Sequence, residues 1–388
     1  MPRTLLGQRI PEGMQDLLPE ELALLEQLEG KILDLFRAWA YQKVVTPTLE
    51  YQACVGPETE GEDQLYKFFD RHGHVLTMRP ELTTPIARLV STRLRAAGFP
   101  LRLCYSADVF RNAPIRHREF RQAGAELIGS ANEIADAEVI ALAIESLRSL
   151  GLADFQINIG QMSIFEGLME EAGVTAEFRA ELETALARKD IVAIEIMVSR
   201  SGLPDSVRDF LVRIPHLHGG EEILYEVLRW SSRPAMQTAV ASLRQIYRYL
   251  ADYGIQQFVS LDLGILRGFS YYTGVVFEGY IPGIGFPVVE GGRYDSLYAE
   301  FGFPQPATGF ALNLGSLLTK FDLPGQDQIE MLVYGSEWPR VVEQCRRFRQ
   351  QGHRVEMLLE TLTKPQAELI AREKRIDKII CADDEMRS

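Results

Sequence analysis

What most constrains this chain is the order in which its hydrophobic periods change. A helical period opens it. In PEELALLEQLEGKILDLFRAWA, Leu22, Leu25, Ile32, Leu35, Phe36 and Trp39 recur at helical spacing behind Pro19 and two early glutamates. Strand-like segments then arrive in clusters. YQKVVTPTLEY is broken by Pro47, and YKFFDRHGHVLTMRPE reads as a hairpin turning at residues 70–73. LRLCYSADVFR and AELIG flank an arginine-rich loop, and FQINIG alternates as a half-buried strand does. Between them, Asn132 is predicted to cap EIADAEVIALAIESLRSL and Gly151 to end it. Residues 162–230 turn helical and charged, the pattern of an inserted helical subdomain. A helix then leads into FVSLDLG. ILRGFSYYTGVVFEGY and FPVVEGGRYDSLY have the β-branched and aromatic content of core strands, and ATGFALNLGSLLTKF reads as a strand entering a helix. Steady β-α-β-α-β alternation appears only after the linker DLPGQDQ. Clustered strands followed by one short alternating series predict an α+β core over residues 1–324, with a small α/β domain over 325–388.

Charge and cysteine usage narrow the function. The net charge of −13 argues against a nucleic-acid grip, which draws most of its affinity from neutralised phosphates. The four cysteines lack CxxC spacing, as expected of free thiols in a reducing cytoplasm. The N-terminus shows no apolar signal-peptide region, and no apolar run approaches a membrane span. The six histidines form no ligand set; His216 and His218 sit beside Gly219 and Gly220 as loop residues do. A cytoplasmic protein without metal or cofactor is the expectation.

Several segments could carry chemistry, and each has a plainer reading. FRNAPIRHREFRQAGAE holds Arg111, Arg116, Arg118 and Arg121 before Gln122 and Glu126. Guanidinium forks there suit an anion, or the arginines are simply laced to nearby acids. MRPELTT offers Glu81 and Thr83 to a ligand, or merely starts and caps a helix. ILRGFSYYTG places Arg267 beside Gly268, with Tyr271 and Tyr272 expected on opposite faces of a strand, and the plain reading is a core aromatic pair. GGRYDSL offers two glycines where a ligand, or only another strand, could approach closely.

Taken together and in this order, the segments resemble histidyl-tRNA synthetases over roughly the first 320 residues. TPTLEY is similar to class II motif 1, whose dimer-interface proline would be Pro47. VFR…REFRQAGAE is similar to motif 2 and TGFALNLGSLL to motif 3, while LRGFSYYTGVVFE and GGRYDSL resemble the histidine-pocket signatures. The resemblance implies a class II antiparallel sheet flanked by helices, carrying the helical insertion and a truncated anticodon-domain relative. It implies a histidine pocket in which Glu81 and Thr83 hold the amino group. Gln122 and Glu126 would lie near the amino group or imidazole, Tyr272 would address the ring, and Arg267 would meet the carboxylate or the activating phosphate. Arg111 and Tyr271 complete the implied ligand set.

The departures from that pattern are specific. Ala113 stands where motif 2 carries a glutamate, Gly315 and Ser316 stand where motif 3 carries Glu-Arg, and Ser270 replaces an aspartate. The motif 2 loop is short, with 11 positions from Arg111 to Gln122. From Gln326 onward the chain holds 12 acids and 11 bases, a poor grip for RNA. These losses resemble the regulatory subunits of ATP phosphoribosyltransferase, a synthetase-like family. That resemblance implies a subunit with no catalysis of its own, binding neither tRNA nor membrane. It implies a homodimer assembled with a short-form catalytic subunit into a hetero-octamer, with histidine as the feedback effector of histidine biosynthesis. A divergent histidyl-tRNA synthetase and a free-standing amino-acid sensor are the alternatives.

Overall fold

The computed structural model describes residues 8–55, 64–113, 117–187, 189–230, 233–265, 271–323 and 329–384. Its strands are β1 (Gln42–Lys43), β2 (Leu49–Tyr51), β3 (Lys67–Phe69), β4 (Val75–Met78), β5 (Leu101–Phe110), β6 (Glu119–Ile128), β7 (Gln156–Gln161), β8 (His218–Gly219), β9 (Val259–Asp262), β10 (Val275–Tyr280), β11 (Val289–Arg293), β12 (Ala307–Asn313), β13 (Met331–Tyr334), β14 (Val355–Met357) and β15 (Lys378–Cys381). Its α-helices are α1 (Pro19–Ala38), α2 (Gln52–Val55), α3 (Thr83–Arg93), α4 (Glu133–Ser149), α5 (Met162–Ala172), α6 (Ala176–Ala187), α7 (Ile191–Arg200), α8 (Asp205–Arg213), α9 (Glu222–Trp230), α10 (Pro234–Asp252), α11 (Leu297–Glu300), α12 (Leu314–Leu317), α13 (Trp338–Gln350) and α14 (Lys364–Glu373). Two compact units emerge, Met1–Asp16 with Leu25–Phe321, and Leu17–Leu24 with Asp322–Ser388.

The first unit is built on a nine-stranded sheet in the order β1-β5-β6-β12-β11-β10-β7-β9-β8. From β5 across to β7 every pairing is antiparallel, while β1–β5 and β7–β9 are parallel. This is the α+β arrangement the clustered strands predict. α4 lies on the sheet with Ala137, Ile140, Ala141 and Ile144 fully buried. Asn132 caps it by accepting from the Ile134 amide at 3.4 Å, and Gly151 follows its end at φ +88°. A second sheet, β2-β4-β3, contains the expected hairpin. The Asp70 carboxylate closes its turn by accepting from the His72 and His74 amides at 2.8 and 2.9 Å. Residues 162–230 contain α5 to α9 and the short strand β8. In the second unit, parallel strands in the order β14-β13-β15 carry α13 and α14, each with its own apolar cluster.

Two local readings need correction. β6 begins at Glu119, because it pairs with β5 over ten residues starting at Phe110↔Glu119. Arg121 therefore sits in a strand, not in a loop. Strand β10 begins only at Val275, so no pleat separates Tyr271 from Tyr272. Their rings meet edge to face at 4.9 Å instead of pointing apart.

Candidate functional site

A cavity with roughly 380 Å³ of empty space when open solvent is included opens in the first unit over the centre of the sheet, between β5, β6, β11 and β12. Strand alternation sends Gln122, Gly124 and Glu126 of β6 to one face. The neighbouring strands place Gly309 beside Glu126 and Gly292 beside Gly309. These glycines shape the floor. A β-carbon at Gly309 would collide with the Glu126 carboxylate, and one at Gly292 would lie 2.8 Å from the Tyr272 ring. The start of α3 supplies one wall. The Glu81 carboxylate accepts the Thr84 amide at 3.1 and 3.2 Å, so it caps the helix and faces the cavity at once. Tyr271, Tyr272 and Tyr294 form the aromatic side, with the rings of Tyr271 and Tyr294 5.7 Å apart. Tyr294 is fixed through its neighbour Arg293, whose guanidinium grips the buried Asp136 of α4 at 2.9–3.1 Å.

Two carboxyls are held away from water here, Glu81 on the cavity lining and Glu126 just behind it. Burial pushes Glu126 up to about 8, against the downward pull of its bonds from the Tyr294 and Thr83 hydroxyls. Burial also raises Glu81, opposed by its bonds from Thr84 and by Arg111. Tyr105, Tyr271 and Tyr294 are held well above the usual phenol range by burial, so they stay protonated donors. Near neutrality, Glu126 is therefore largely a neutral acid. The Gln122 side-chain oxygen is buried without a hydrogen-bond partner among the described residues. An orphaned acceptor and two dehydrated carboxyls suit a small polyfunctional cation with N–H donors.

A second, larger pocket, with roughly 1000 Å³ of empty space when open solvent is included, adjoins the first. Both are lined by Arg111, Gln122, Glu290 and Ala311, so one mouth opens into the other. Its walls are mostly apolar, including Phe120, Phe286, Pro287 and Val288. The Arg111 guanidinium lies over the Phe120 ring at 5.5 Å and donates to the Pro80 carbonyl at 3.0 Å. Ser316, standing in place of the motif 3 arginine, lines this cavity, and Ala113 is buried.

Of the residues singled out in the sequence, Glu81, Thr83, Arg111, Gln122, Tyr271 and Tyr272 line the first cavity. Glu126 lies just behind its wall, 1% exposed, reached past Gly309 and held by Thr83 at 3.0 Å. Arg267, like Arg116 and Ser270, falls outside the described residues. The basic loop is largely the plainer of its two readings. Arg121 binds Asp108 and Glu29, and Arg118 binds Glu12 and the Ala113 carbonyl. Sequence reasoning missed Tyr105, Glu290 and Tyr294. Tyr294 sits within the GGRYDSL segment and Glu290 interrupts an apolar run, and these were the available signals; Tyr105 gave none. Among the described residues, no three His, Cys, Asp or Glu side chains are grouped as metal ligands.

Comparison with known proteins shows the family and the fold. A histidyl-tRNA synthetase family model aligns with residues 13–317. An ATP phosphoribosyltransferase regulatory subunit from Desulfitobacterium hafniense strain Y51 is 60% identical over 98% of this chain and 100% of its own length. The protein of that name from Moorella thermoacetica is 44% identical, covering 93% and 95% of the two chains. Among solved structures, an ATP phosphoribosyltransferase regulatory subunit/histidyl-tRNA synthetase from Bacillus halodurans superposes with a TM-score of 0.87 at 33% identity, covering 98% of this chain and 99% of that one. A histidyl-tRNA synthetase from Nostoc shares the fold, with a TM-score of 0.80 at 20% identity over 97% and 92% of the chains.

Proposed function

Because the chain belongs to the family of ATP phosphoribosyltransferase regulatory subunits, built on a histidyl-tRNA synthetase scaffold, we propose that it is a non-catalytic histidine sensor. It activates a short-form catalytic subunit and conveys feedback inhibition by histidine. The observation that carries this reading is the contrast between the two adjoining cavities. The first keeps Glu81, Thr83 and Gln122 for an ammonium, and Glu126, Tyr272 and Tyr294 for an imidazole. The second has Ser316 on its wall, with Gly315 and Ala113 at the other two positions where the resemblance calls for ATP-binding charges. Losing one such contact costs a few kcal/mol, and losing three together removes adenylate chemistry. Histidine recognition survives while its activation does not.

The same reading extends to assembly. The chain pairs as a homodimer through its motif 1 segment and joins the catalytic subunit as a hetero-octamer in the cytoplasm, without tRNA. Residues 325–388, nearly balanced in charge, serve as a relative of an anticodon-binding domain that grips no RNA. Histidine-dependent exchange of pyrophosphate into ATP tests the non-catalytic part. The expected rate is indistinguishable from background, and exchange at a synthetase's rate would establish the divergent-synthetase alternative.

A further inference from the structure

The floor of the first cavity and the helical insertion meet at one turn. The floor belongs to a cross-strand row in which Glu126 pairs with Gly309, Gly309 with Gly292, Gly292 with Val276, and Val276 with Gly160 of β7. Residues paired in this way share a face of the sheet, so Gly160 lies on the cavity side. The turn that leaves β9 covers it. A β-carbon at Gly160 would come within 2.9 Å of the Asp262 carbonyl oxygen and 3.3 Å of the Ile265 β-carbon. Two strands away in the same row, the Tyr272 ring covers Gly292. The segment that starts at Asp262 therefore begins and ends against the same face.

The insertion grips the start of that segment. β8 pairs with β9 at His218↔Asp262, and the Leu263 amide donates to the Leu217 carbonyl at 3.0 Å. A β-carbon at Gly264 would lie 3.1 Å from the α-carbon of Pro215. The Asp262 carboxylate stands at the centre of these contacts. One oxygen accepts the Gly264 amide at 2.9 Å, and the other accepts the Lys189 ammonium at 3.1 Å. Lys189 lies between α6 and α7 at φ +51°, a left-handed conformation that strains a residue with a β-carbon. Its backbone is fixed on both sides, by its own amide on the Leu186 carbonyl and by Asp190, which caps α7. The Asp262 side chain is only 4% exposed, and a carboxylate so buried needs its cation.

We propose that Asp262 is a positioning residue of the histidine cavity, and that Lys189 couples the helical insertion to histidine affinity through it. This rests on the assignment of the first cavity to histidine. The paired carboxylate holds the turn down over Gly160, and the chain beyond it goes on to Tyr271 and Tyr272, the aromatic side of the cavity. Coupling of this kind is reciprocal. If a docked insertion raises histidine affinity, bound histidine must tighten the docking by the same factor.

Calorimetry and hydrogen–deuterium exchange on the full-length protein test both directions. In the parent, histidine should slow exchange in residues 207–230 of the insertion, which lie outside the cavity's described lining. Lys189→Met should weaken histidine about tenfold and abolish that slowing. Lys189→Arg, which keeps a cation, should restore both. Lys189→Met combined with Asp262→Asn removes the stranded charge, while the asparagine oxygen can still accept the Gly264 amide. Its melting temperature should return toward the parent's, with histidine still about tenfold weaker. Parental histidine affinity in either Met variant would overturn the coupling, as would exchange in the parent's insertion that ignores bound histidine. Both results leave histidine in the first cavity. If the parent itself fails to bind histidine, the assignment of that cavity falls and the coupling falls with it.

Discussion

Glu126 concentrates the residue-scale argument. A carboxyl raised to about 8 facing an imidazole of ordinary pKa about 6.5 shares one proton with it across the bond. Between those values the free partners already hold that one proton between them. Histidine affinity should therefore be flat from about pH 6.5 to 8. Below this window a proton must leave on binding, and above it one must be taken up, so affinity falls toward tenfold per pH unit on either side. Titration by calorimetry across pH 5.5–9 checks this, and a monotonic profile would contradict the pairing. Stability carries the opposite signature. The folded pKa lies above the ordinary 4.5, so the ligand-free fold holds a proton that the unfolded chain has lost, and stability declines as pH rises from about 4.5 to 8. Glu126→Gln removes that decline. Its melting temperature should gain on the parent by a few degrees as pH rises from 5 to 8.5, while histidine binds about tenfold to a hundredfold more weakly. No rule of composition could have found this residue. The role proposed for it rests on the likeness of the segment REFRQAGAE to a known pocket, and its burial behind Gly309 became visible only in three dimensions.

At the scale of elements, the sequence showed most strands and helices because period and punctuation agreed. Asn132 and Gly151 bracket α4, and Asp70 with Gly73 turn the hairpin. It misplaced the ends where pairing overrides local pattern. β6 starts early because β5 pairs with it to the last residue, and Tyr271 and Tyr272 pack as a cluster ahead of β10. It also could not reveal that Arg293 of β11 clamps α4 through the buried Asp136. Burial lifts Asp136 to about 6 even against the attraction of Arg293. Arg293→Met should cost about 3–5 kcal/mol in denaturant unfolding, by stranding that carboxyl. An effect below 1 kcal/mol would show that the clamp does not hold the aromatic wall in place. The β2-β4-β3 sheet makes a different demand. Leu49, Tyr51 and Phe68 on one face are 43%, 54% and 37% exposed, an apolar face of the kind that a partner covers. Tyr51→Asp combined with Phe68→Asp should convert the expected dimer into a folded monomer in sedimentation velocity. A variant that stays dimeric would place the two-fold contact elsewhere.

At the scale of the whole molecule, the cavity proposed for histidine sits on a scaffold with Ala113, Gly315 and Ser316 at positions where the synthetase resemblance calls for charges. Family membership was readable from the ordered motifs, and the proposed lack of catalysis rests on Ala113, Gly315 and Ser316. The large apolar space left behind was not readable, because an absent charge does not say whether neighbouring side chains close over it. A sensor of this kind must bind its effector differently in two states of the assembly, since equal binding would shift nothing. The most direct measurement is the ATP phosphoribosyltransferase rate of a short-form catalytic subunit mixed with this chain while histidine is titrated, for the parent and for Glu126→Gln. The account predicts that the chain activates the catalytic subunit and that histidine inhibits the mixture. In Glu126→Gln, assembly and activation should persist while half-inhibition moves to about tenfold to a hundredfold higher histidine. Inhibition of the folded, assembled variant at the parent's histidine concentration would contradict the account, by placing the effector site outside this cavity.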